Sequence, residues 1–382
     1  MTMNNKKFWF ITGFVVVIGV VMLFVNEYRK PTTGSSDKSK KTDTRASSSV
    51  NPITHSVNSS DTTSLTALLF PVFERVGTTL HNSSGTIDYS LIADFDTIVR
   101  EISVKLATAQ TFADTVDLFR QSVFVNNRIV FDPNQNDFYS IFPQTVLSRK
   151  KGSCLGTSLV YLLVAEKLKI PMYGVLVPKH FFVRFDNGVQ RINVETMKGG
   201  ANLPDTWYRQ KFMFADSSAY DLGNLSNSQV CAVVQFTLGN VLSSLGKYTE
   251  AIELYRECVV VLPGFANAYG NMGVAFAAAG DRQNAKIAFE EASSLNGTSA
   301  LLFYNMGTLL LGEKKYEAAI VEYGDGLKFH PDDPELLYGL GYAYFSIHKY
   351  SDAKKYLQDA KYQRPEFPRA DSVLAMINSK GK

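Results

Sequence analysis

Cysteine is scarce in this chain. Only Cys154, Cys231 and Cys258 occur among 382 residues. An odd number at unrelated spacings is not a disulfide framework, so at least one thiol is expected to be free. No Cys/His cluster has zinc-ligand spacing, and no cofactor is expected. An excess of one charge is also lacking, because Lys and Arg number 39 against 36 Asp and Glu, for a formal net charge of +3. That balance gives no reason to expect nucleic acid as a partner. Large apolar side chains are few from Lys30 to about Thr63, a stretch rich in Ser, Thr, Lys and Asp. Such a segment cannot bury enough surface to offset its chain entropy, so residues 26–63 are expected to be a flexible linker.

What the chain does have is one long uncharged run, FWFITGFVVVIGVVMLFV, over residues 8–25. At about 1.5 Å per residue it would reach roughly 27 Å, close to the hydrocarbon thickness of a bilayer. No small-x-small cleavage site follows it, so an uncleaved transmembrane helix is expected rather than a signal peptide, with residues 1–7 as a short tail. So short a tail favours a soluble body on the extracytoplasmic side. The basic residues Arg29, Lys30, Lys38, Lys40, Lys41 and Arg45 outnumber Lys6 and Lys7, which makes the cytoplasmic face the alternative.

Globular sequence begins near Leu65. Apolar residues at Leu91, Ile92, Phe95, Ile98, Ile102 and Leu106 recur in steps of three and four, which predicts a helix from about Ile87. Thr111 to Val123 reads as a second helix, and Asp132-Pro133-Asn134 as a turn. The segment RKKGSCLGTSLVYLLVAEKLKI, from Arg149 to Ile170, places Cys154 at the head of a helix with Leu159, Leu162, Leu163, Ala165 and Leu168 on its apolar side. MYGVLVP, HFFVRF and VQRINVET are then β-rich, and Asn187-Gly188 between the last two is a strong hairpin signal. With Asn187-Gly188 as the two-residue loop, Arg184 would face Arg191, Phe182 would face Asn193, and His180 would face Glu195.

That arrangement suggests chemistry. A thiol attacks as its thiolate, and an ordinary thiol near pKa ~8.5 is mostly protonated at neutral pH. A helix N-terminus, the upstream Arg149, Lys150 and Lys151, and an imidazolium would each lower that value. Cys154 as nucleophile, His180 as base and Glu195 as the acid orienting it satisfy the logic of a catalytic triad. Taken singly, each residue has a plainer role: a small buried cysteine, a packed histidine, a solvent-facing glutamate. Cys231 and Cys258 are better read as core residues of the C-terminal part. Gln135 and Asn136 lie upstream as candidate oxyanion donors, although a turn role suits them better.

The stretch RKKGSCLGTSLVYLLVAEKLKIPMYGVLVPKHFFVRF, with INVET after it and VNNRIVFDPNQNDFYSIFPQTVLS before it, resembles the bacterial transglutaminase-like domain of the SirB type. The resemblance covers roughly Leu65 to Leu225. It implies an α+β fold of the papain-like cysteine-protease superfamily. It also implies that Cys154, His180 and Glu195 occupy the nucleophile, base and acid positions. The acid in transglutaminases is usually Asp, and here it is Glu.

The C-terminal part repeats itself. Gly239, Gly273, Gly307 and Gly341 lie 34 residues apart, as do Ala251, Ala285, Ala319 and Ala353. This period with these residue types is the tetratricopeptide pattern. Four repeats begin near Ala232, Ala266, Ala300 and Pro334, and RADSVLAMINSK should cap them. Such arrays bind peptides or partner proteins, and Asn240, Asn271 and Asn305 on first helices are candidate groove residues. Phe236 and Leu301 stand where the cations of a carboxylate clamp would be expected, so recognition of a C-terminal carboxylate is not expected.

The expected organisation is a transmembrane helix over 8–25, a linker over 26–63, a transglutaminase-like domain over 64–228, four repeats over 229–367, and a capping helix and tail over 368–382. Two functions fit. One is thiol acyl chemistry (amidase, peptidase or acyl transfer) on a protein or cell-envelope peptide recruited by the repeats. The alternative is an inactive scaffold for protein interaction.

Overall fold

The computed structural model describes residues 63–81, 92–134, 137–212 and 222–380. The expected transmembrane helix, nearly all of the linker, and Gln135 and Asn136 lie outside them. Among the described residues no helix is long and apolar enough to cross a membrane. The chain divides into two compact units. One runs to Val241 and takes in Glu257–Gly264, and the other holds Leu242–Arg256 and the chain from Phe265 on.

In the first unit, helices α1 (Leu65–His81), α2 (Ile92–Leu106) and α3 (Phe112–Arg120) precede a π-helical turn, Gln121–Asn126. Helix α3 starts at a capping box, in which Thr111 accepts from the Asp114 backbone and Asp114 accepts from that of Thr111. Such a cap satisfies amides that the first turn would leave unpaired. The short strands β1 (Val130–Phe131) and β2 (Lys151–Gly152) pair in parallel around α4 (Pro143–Arg149). Helix α5 (Cys154–Leu168) follows, and then strands β3 (Met172–Val177), β4 (His180–Asp186) and β5 (Arg191–Val194) form one antiparallel sheet in that order.

Helix α5 differs from its expected single apolar side. Leu155 to Leu162, Val164 and Ala165 are all buried, and Thr157, Ser158 and Tyr161 are as inaccessible as Leu159. The reason is enclosure, with α1, α2 and α4 and strands β3 and β4 all contacting α5. Burying one large side chain contributes about 1.5–3 kcal/mol, and this central helix buries several.

Strand β4 alternates. Phe185 meets Phe119 and Phe112 of α3 edge-on, with ring centroids 5.2 Å and 5.8 Å apart. On the opposite face, period-two alternation aligns His180, Phe182, Arg184 and Asp186. There Phe182 stacks on Tyr208 of helix α6 (Asp205–Phe212) at 3.9 Å.

The β4–β5 register corrects the expected one. Arg184 pairs with Asn193 and Asp186 with Arg191. The hairpin closes between Asn187 and Gln190, so the loop is Gly188-Val189, with Gly188 at φ 83°. Asn187 is taken up in closing the loop, because its side-chain oxygen accepts from the amides of Val189 and Gln190. The loop therefore moves one residue along and every cross-strand pair shifts by two. A shift of two leaves each side chain on its original face.

Helices α7 (Asn227–Ser244), α8 (Tyr248–Val261), α9 (Ala266–Ala278), α10 (Arg282–Leu295), α11 (Ala300–Gly312), α12 (Tyr316–Phe329), α13 (Pro334–Ser346), α14 (Tyr350–Gln363) and α15 (Pro368–Lys380) complete the chain. The 34-residue glycines mark the closest helix contacts. A Cβ on Gly273 would lie 2.6 Å from the Phe289 ring, on Gly307 2.5 Å from Tyr323, and on Gly341 2.8 Å from Leu357. Each partner stands sixteen residues after its glycine, on the second helix of the same repeat. Only a residue without a side chain permits that approach. Ala370, Val373 and Ile377 of α15 are buried with Leu357 and Phe367, closing the last repeat.

Candidate functional site

The site starts with the cap of α5. Ser153 is its N-cap, and the side-chain oxygen accepts from the Gly156 amide at 3.1 Å. The Ser153 amide and hydroxyl both donate to the Ser140 carbonyl, at 3.1 Å each. Gly156 lets the first turn sit on that carbonyl, because a Cβ there would lie 2.0 Å from the oxygen. These contacts fix Cys154 as the first residue of the helix, at the positive end of its dipole. Cys154 as a residue is half-buried.

His180 opens β4 directly after the Pro178-Lys179 turn, in which Lys179 has φ 60°. Its Nε2 is 2.8 Å from Glu195 Oε2, and both side chains are 1% exposed. The other oxygen of Glu195 accepts from the Met197 amide at 2.8 Å. The Thr196 hydroxyl donates to the Cys154 carbonyl at 3.4 Å, tying the end of β5 to the start of α5. The carboxylate occupies Nε2, so Nδ1 is left for Cys154, whose thiol hydrogen-bonds the imidazole.

The electrostatics follow from this geometry. Burial alone would push the Cys154 thiol up, but the hydrogen bond and charge of His180, with the Phe181 backbone N–H, outweigh it and hold it below its ordinary value. Burial alone would push the imidazole down, but Cys154 and Glu195 outweigh that and raise it to about 9. The arrangement favours a thiolate–imidazolium pair between the two values. Cys231 is pushed up to about 11 by burial, and Cys258 is pushed up by burial as well. Neither shares the environment of Cys154.

Aromatic rings cover the histidine. Phe212 stacks on His180 with centroids 4.9 Å apart and 12° between planes. Tyr208 lies nearly parallel at 6.3 Å. Its hydroxyl is buried beside the Glu195 carboxylate, and burial and that carboxylate push it up. Helix α6 is held in place by a buried guanidinium. Arg184 donates to Asn193 Oδ1, Leu222 O and Asp205 Oδ1 at 2.7, 2.6 and 2.6 Å. Phe181, Tyr208, Phe212 and Arg184 do not stand out in the sequence as site residues. The alternation His180, Phe182, Arg184 is the one sign there that Arg184 shares a face with the histidine.

Cys154, His180 and Glu195 thus lie together. The groove candidates lie on the repeat helices. Asn271 on α9 and Asn305 on α11 are half-buried at equivalent repeat positions, whereas Asn240 on α7 falls in the other compact unit and at another phase. Among the described residues no group of three or more His, Cys, Asp and Glu side chains is arranged to hold a metal ion.

Comparison with known proteins agrees with the two-part architecture. The model of the transglutaminase-like superfamily matches residues 90–232. Models of the tetratricopeptide repeat match residues 232–259, 266–298 and 310–377. An Hsp70-Hsp90 organizing protein of Triticum aestivum is 27% identical over 139 residues, covering 36% of this chain and 24% of that protein. F-box only protein 21 of Mus musculus is 27% identical over 139 residues, covering 34% of this chain and 22% of that protein. The chain thus spans less than a quarter of the length of the curated relatives it matches. Among solved structures, MamA from Desulfovibrio magneticus RS-1 aligns at 23% identity and TM-score 0.36 over 39% of this chain and 85% of that one. Overlap of that extent does not bear on the site. The family matches together identify the chain as a transglutaminase-like domain followed by tetratricopeptide repeats.

Proposed function

We propose that the first domain carries out thiol acyl chemistry on a protein or cell-envelope peptide brought to it by the repeats. Cys154 attacks the carbonyl carbon of a glutamine side chain or peptide amide, and the carbonyl π pair moves to oxygen. His180 gives its proton to the departing nitrogen as the C–N bond breaks, leaving a thioester. Water or an amine then attacks the thioester carbonyl, the imidazole takes its proton, and the thiolate leaves. Glu195 holds the imidazole in the tautomer and orientation both steps need. General acid–base catalysis of this kind contributes about 10²–10⁴-fold. The observation that carries the reading is the buried 2.8 Å contact between His180 Nε2 and Glu195 Oε2, with the thiol on the other side of the ring.

The test is alkylation of Cys154 by iodoacetamide against pH in the full chain, read by mass spectrometry on the Cys154 peptide. The midpoint should lie well below ~8.5 and rise in His180→Ala. An ordinary midpoint in both proteins, or no labelling while folded, would sink the enzyme reading and leave an interaction scaffold.

The same proposal has residues 8–25 anchor the chain, with the body extracytoplasmic. The support for the anchor is the uncharged run over residues 8–25. A reporter fused after Lys382 should be digested by protease added outside intact cells. Release of the chain by alkaline carbonate would overturn the anchor, and a protected reporter would overturn the orientation.

A further inference from the structure

The aromatic wall beside His180 is more than the histidine needs for support. The ring of Phe182 already stacks on Tyr208 at 3.9 Å within the core. Phe212 and Trp207 add a second tier, and both are half-buried rather than buried. Trp207 stands perpendicular to Tyr208 (88°) and to Phe212 (83°), with centroids 5.0 and 6.2 Å away. The two partly open rings therefore meet at a right angle and form a corner. The Lys198 ammonium lies 5.1 Å from the Trp207 ring centroid, and a cation over an indole face steadies the ring. The corner is built in advance. Asp205, the first residue of α6, accepts from both Arg184 and Asn193, at 2.6 and 2.8 Å. Asn193 also donates to Leu203 O at 2.7 Å. These bonds anchor the helix that carries both rings to the strand pair that carries His180 and Glu195.

A half-open ring stacked on the imidazole, with a second half-open ring perpendicular to it, favours a flat apolar group and offers little to a small polar one. From this corner we infer that Trp207 and Phe212 form a specificity subsite for an aromatic or large apolar side chain next to the carbonyl that Cys154 attacks. The substrate class is then a peptide with such a residue beside the scissile or transferred amide. The inference rests on the proposed thiol chemistry and adds the chemistry of the acyl group.

The test needs no known substrate. Two haloacetamides of the same leaving group are compared at Cys154 of the full chain, iodoacetamide and its N-phenyl analogue, with N-acetylcysteine as the solution reference. In each, the thiolate displaces iodide and a C–S bond forms. The aromatic-to-small rate ratio at Cys154 should exceed that of N-acetylcysteine at least tenfold, with saturation in the aromatic reagent. In Trp207→Ala, and separately in Phe212→Ala, the ratio should fall at least fivefold toward the reference. A ratio equal to that of N-acetylcysteine, or one unchanged in both variants, would overturn the subsite. It would do so while leaving the thiol chemistry standing, provided iodoacetamide still labels Cys154 in a His180-dependent way. If iodoacetamide does not label Cys154 in the folded protein, the chemistry and the subsite fall together.

Discussion

His180 and Glu195 touch across β4 and β5 without being cross-strand partners. Val183 pairs with Val194, so Glu195 stands across from Phe182 and meets the histidine diagonally. Diagonal neighbours are about 7–8 Å apart at the backbone, and the extra methylene of Glu over Asp helps span that offset to a 2.8 Å contact.

Removing that carboxylate's charge should change the histidine more than the fold. In Glu195→Gln the side chain keeps its size and can still accept from the Met197 amide, which Glu195 binds at 2.8 Å. The imidazole, raised to about 9 by Cys154 and Glu195 against burial, should fall toward its ordinary value. An amide that donates to Nε2 would also favour the wrong tautomer, and turnover should drop about 10³–10⁴-fold. Titration of the His180 ring by nitrogen NMR is the direct measurement. An unchanged midpoint would mean that Glu195 does not control the ring.

The Cys154–His180 pair should give an unusual pH dependence of stability. An imidazole raised from 6.5 to about 9 favours the fold fully below 6.5, and that contribution is lost as pH rises through about 9. A thiol lowered from 9.0 favours the fold above 9.0, and that contribution is lost as pH falls through its folded value. Between 6.5 and about 9 the unfolded pair holds one proton, on sulfur, and the folded histidine keeps its own. Where the folded thiol is ionised the proton counts are equal and the pair contributes no slope; where it is protonated the folded pair holds one proton more and stability rises on acidification. Urea unfolding of the native chain and of a Cys154→Ala, His180→Ala double variant should therefore show a gap that does not shrink as pH falls from 9 to 6.5. A gap that shrinks over that range would contradict the pair.

The sequence carries the site further than it carries the architecture around it. His180 and Glu195 share a face because strand alternation survives a register error of two residues, so the pairing was legible even though the loop was not. Asn187-Gly188 signals a hairpin, but whether Asn187 sits inside the turn or closes it depends on its side-chain bonds to Val189 and Gln190. Helix α5 hides its burial, since Thr157, Ser158 and Tyr161 look like a polar side until both layers that enclose it are known. Helix α6 is mostly polar, DTWYRQKF, and carries no period that announces a wall over the histidine. Nothing in the strand pattern marks Arg184 as buried. Only the convergence of Asn193, Leu222 and Asp205 in space makes its burial affordable.

Gly156 should be intolerant of even one methyl group. An alanine Cβ would come 2.0 Å from the Ser140 carbonyl oxygen, which already accepts from the Ser153 amide and hydroxyl. Either the carbonyl moves and both bonds are lost, or the head of α5 moves and Cys154 goes with it. Gly156→Ala should cost about 3 kcal/mol or more. In the fraction that still folds, the depressed thiol pKa should be lost. Urea unfolding reads the first effect and iodoacetamide kinetics the second. A variant with native stability and native thiol reactivity would show that the elbow is looser than its contacts imply.

Two glycines on one helix of the repeat array should respond in opposite directions. Gly324 and Gly326 both lie inside α12. A Cβ on Gly324 would meet nothing within 4 Å. Alanine there gains helix propensity without a clash, so Gly324→Ala should stabilise by about 0.5–1 kcal/mol. A Cβ on Gly326 would lie 2.8 Å from Phe303 Cβ and 3.0 Å from Leu336 Cδ1. Phe303 belongs to α11 and Leu336 to α13, so the glycine is where three helices meet and little can give. Gly326→Ala should destabilise by about 1–3 kcal/mol, the overpacking cost exceeding the propensity gain. Thermal melts of the two variants, followed by helical circular dichroism, test the pair with one assay. A common direction of shift would mean that propensity, not the close approach of neighbouring helices, decides what these positions hold.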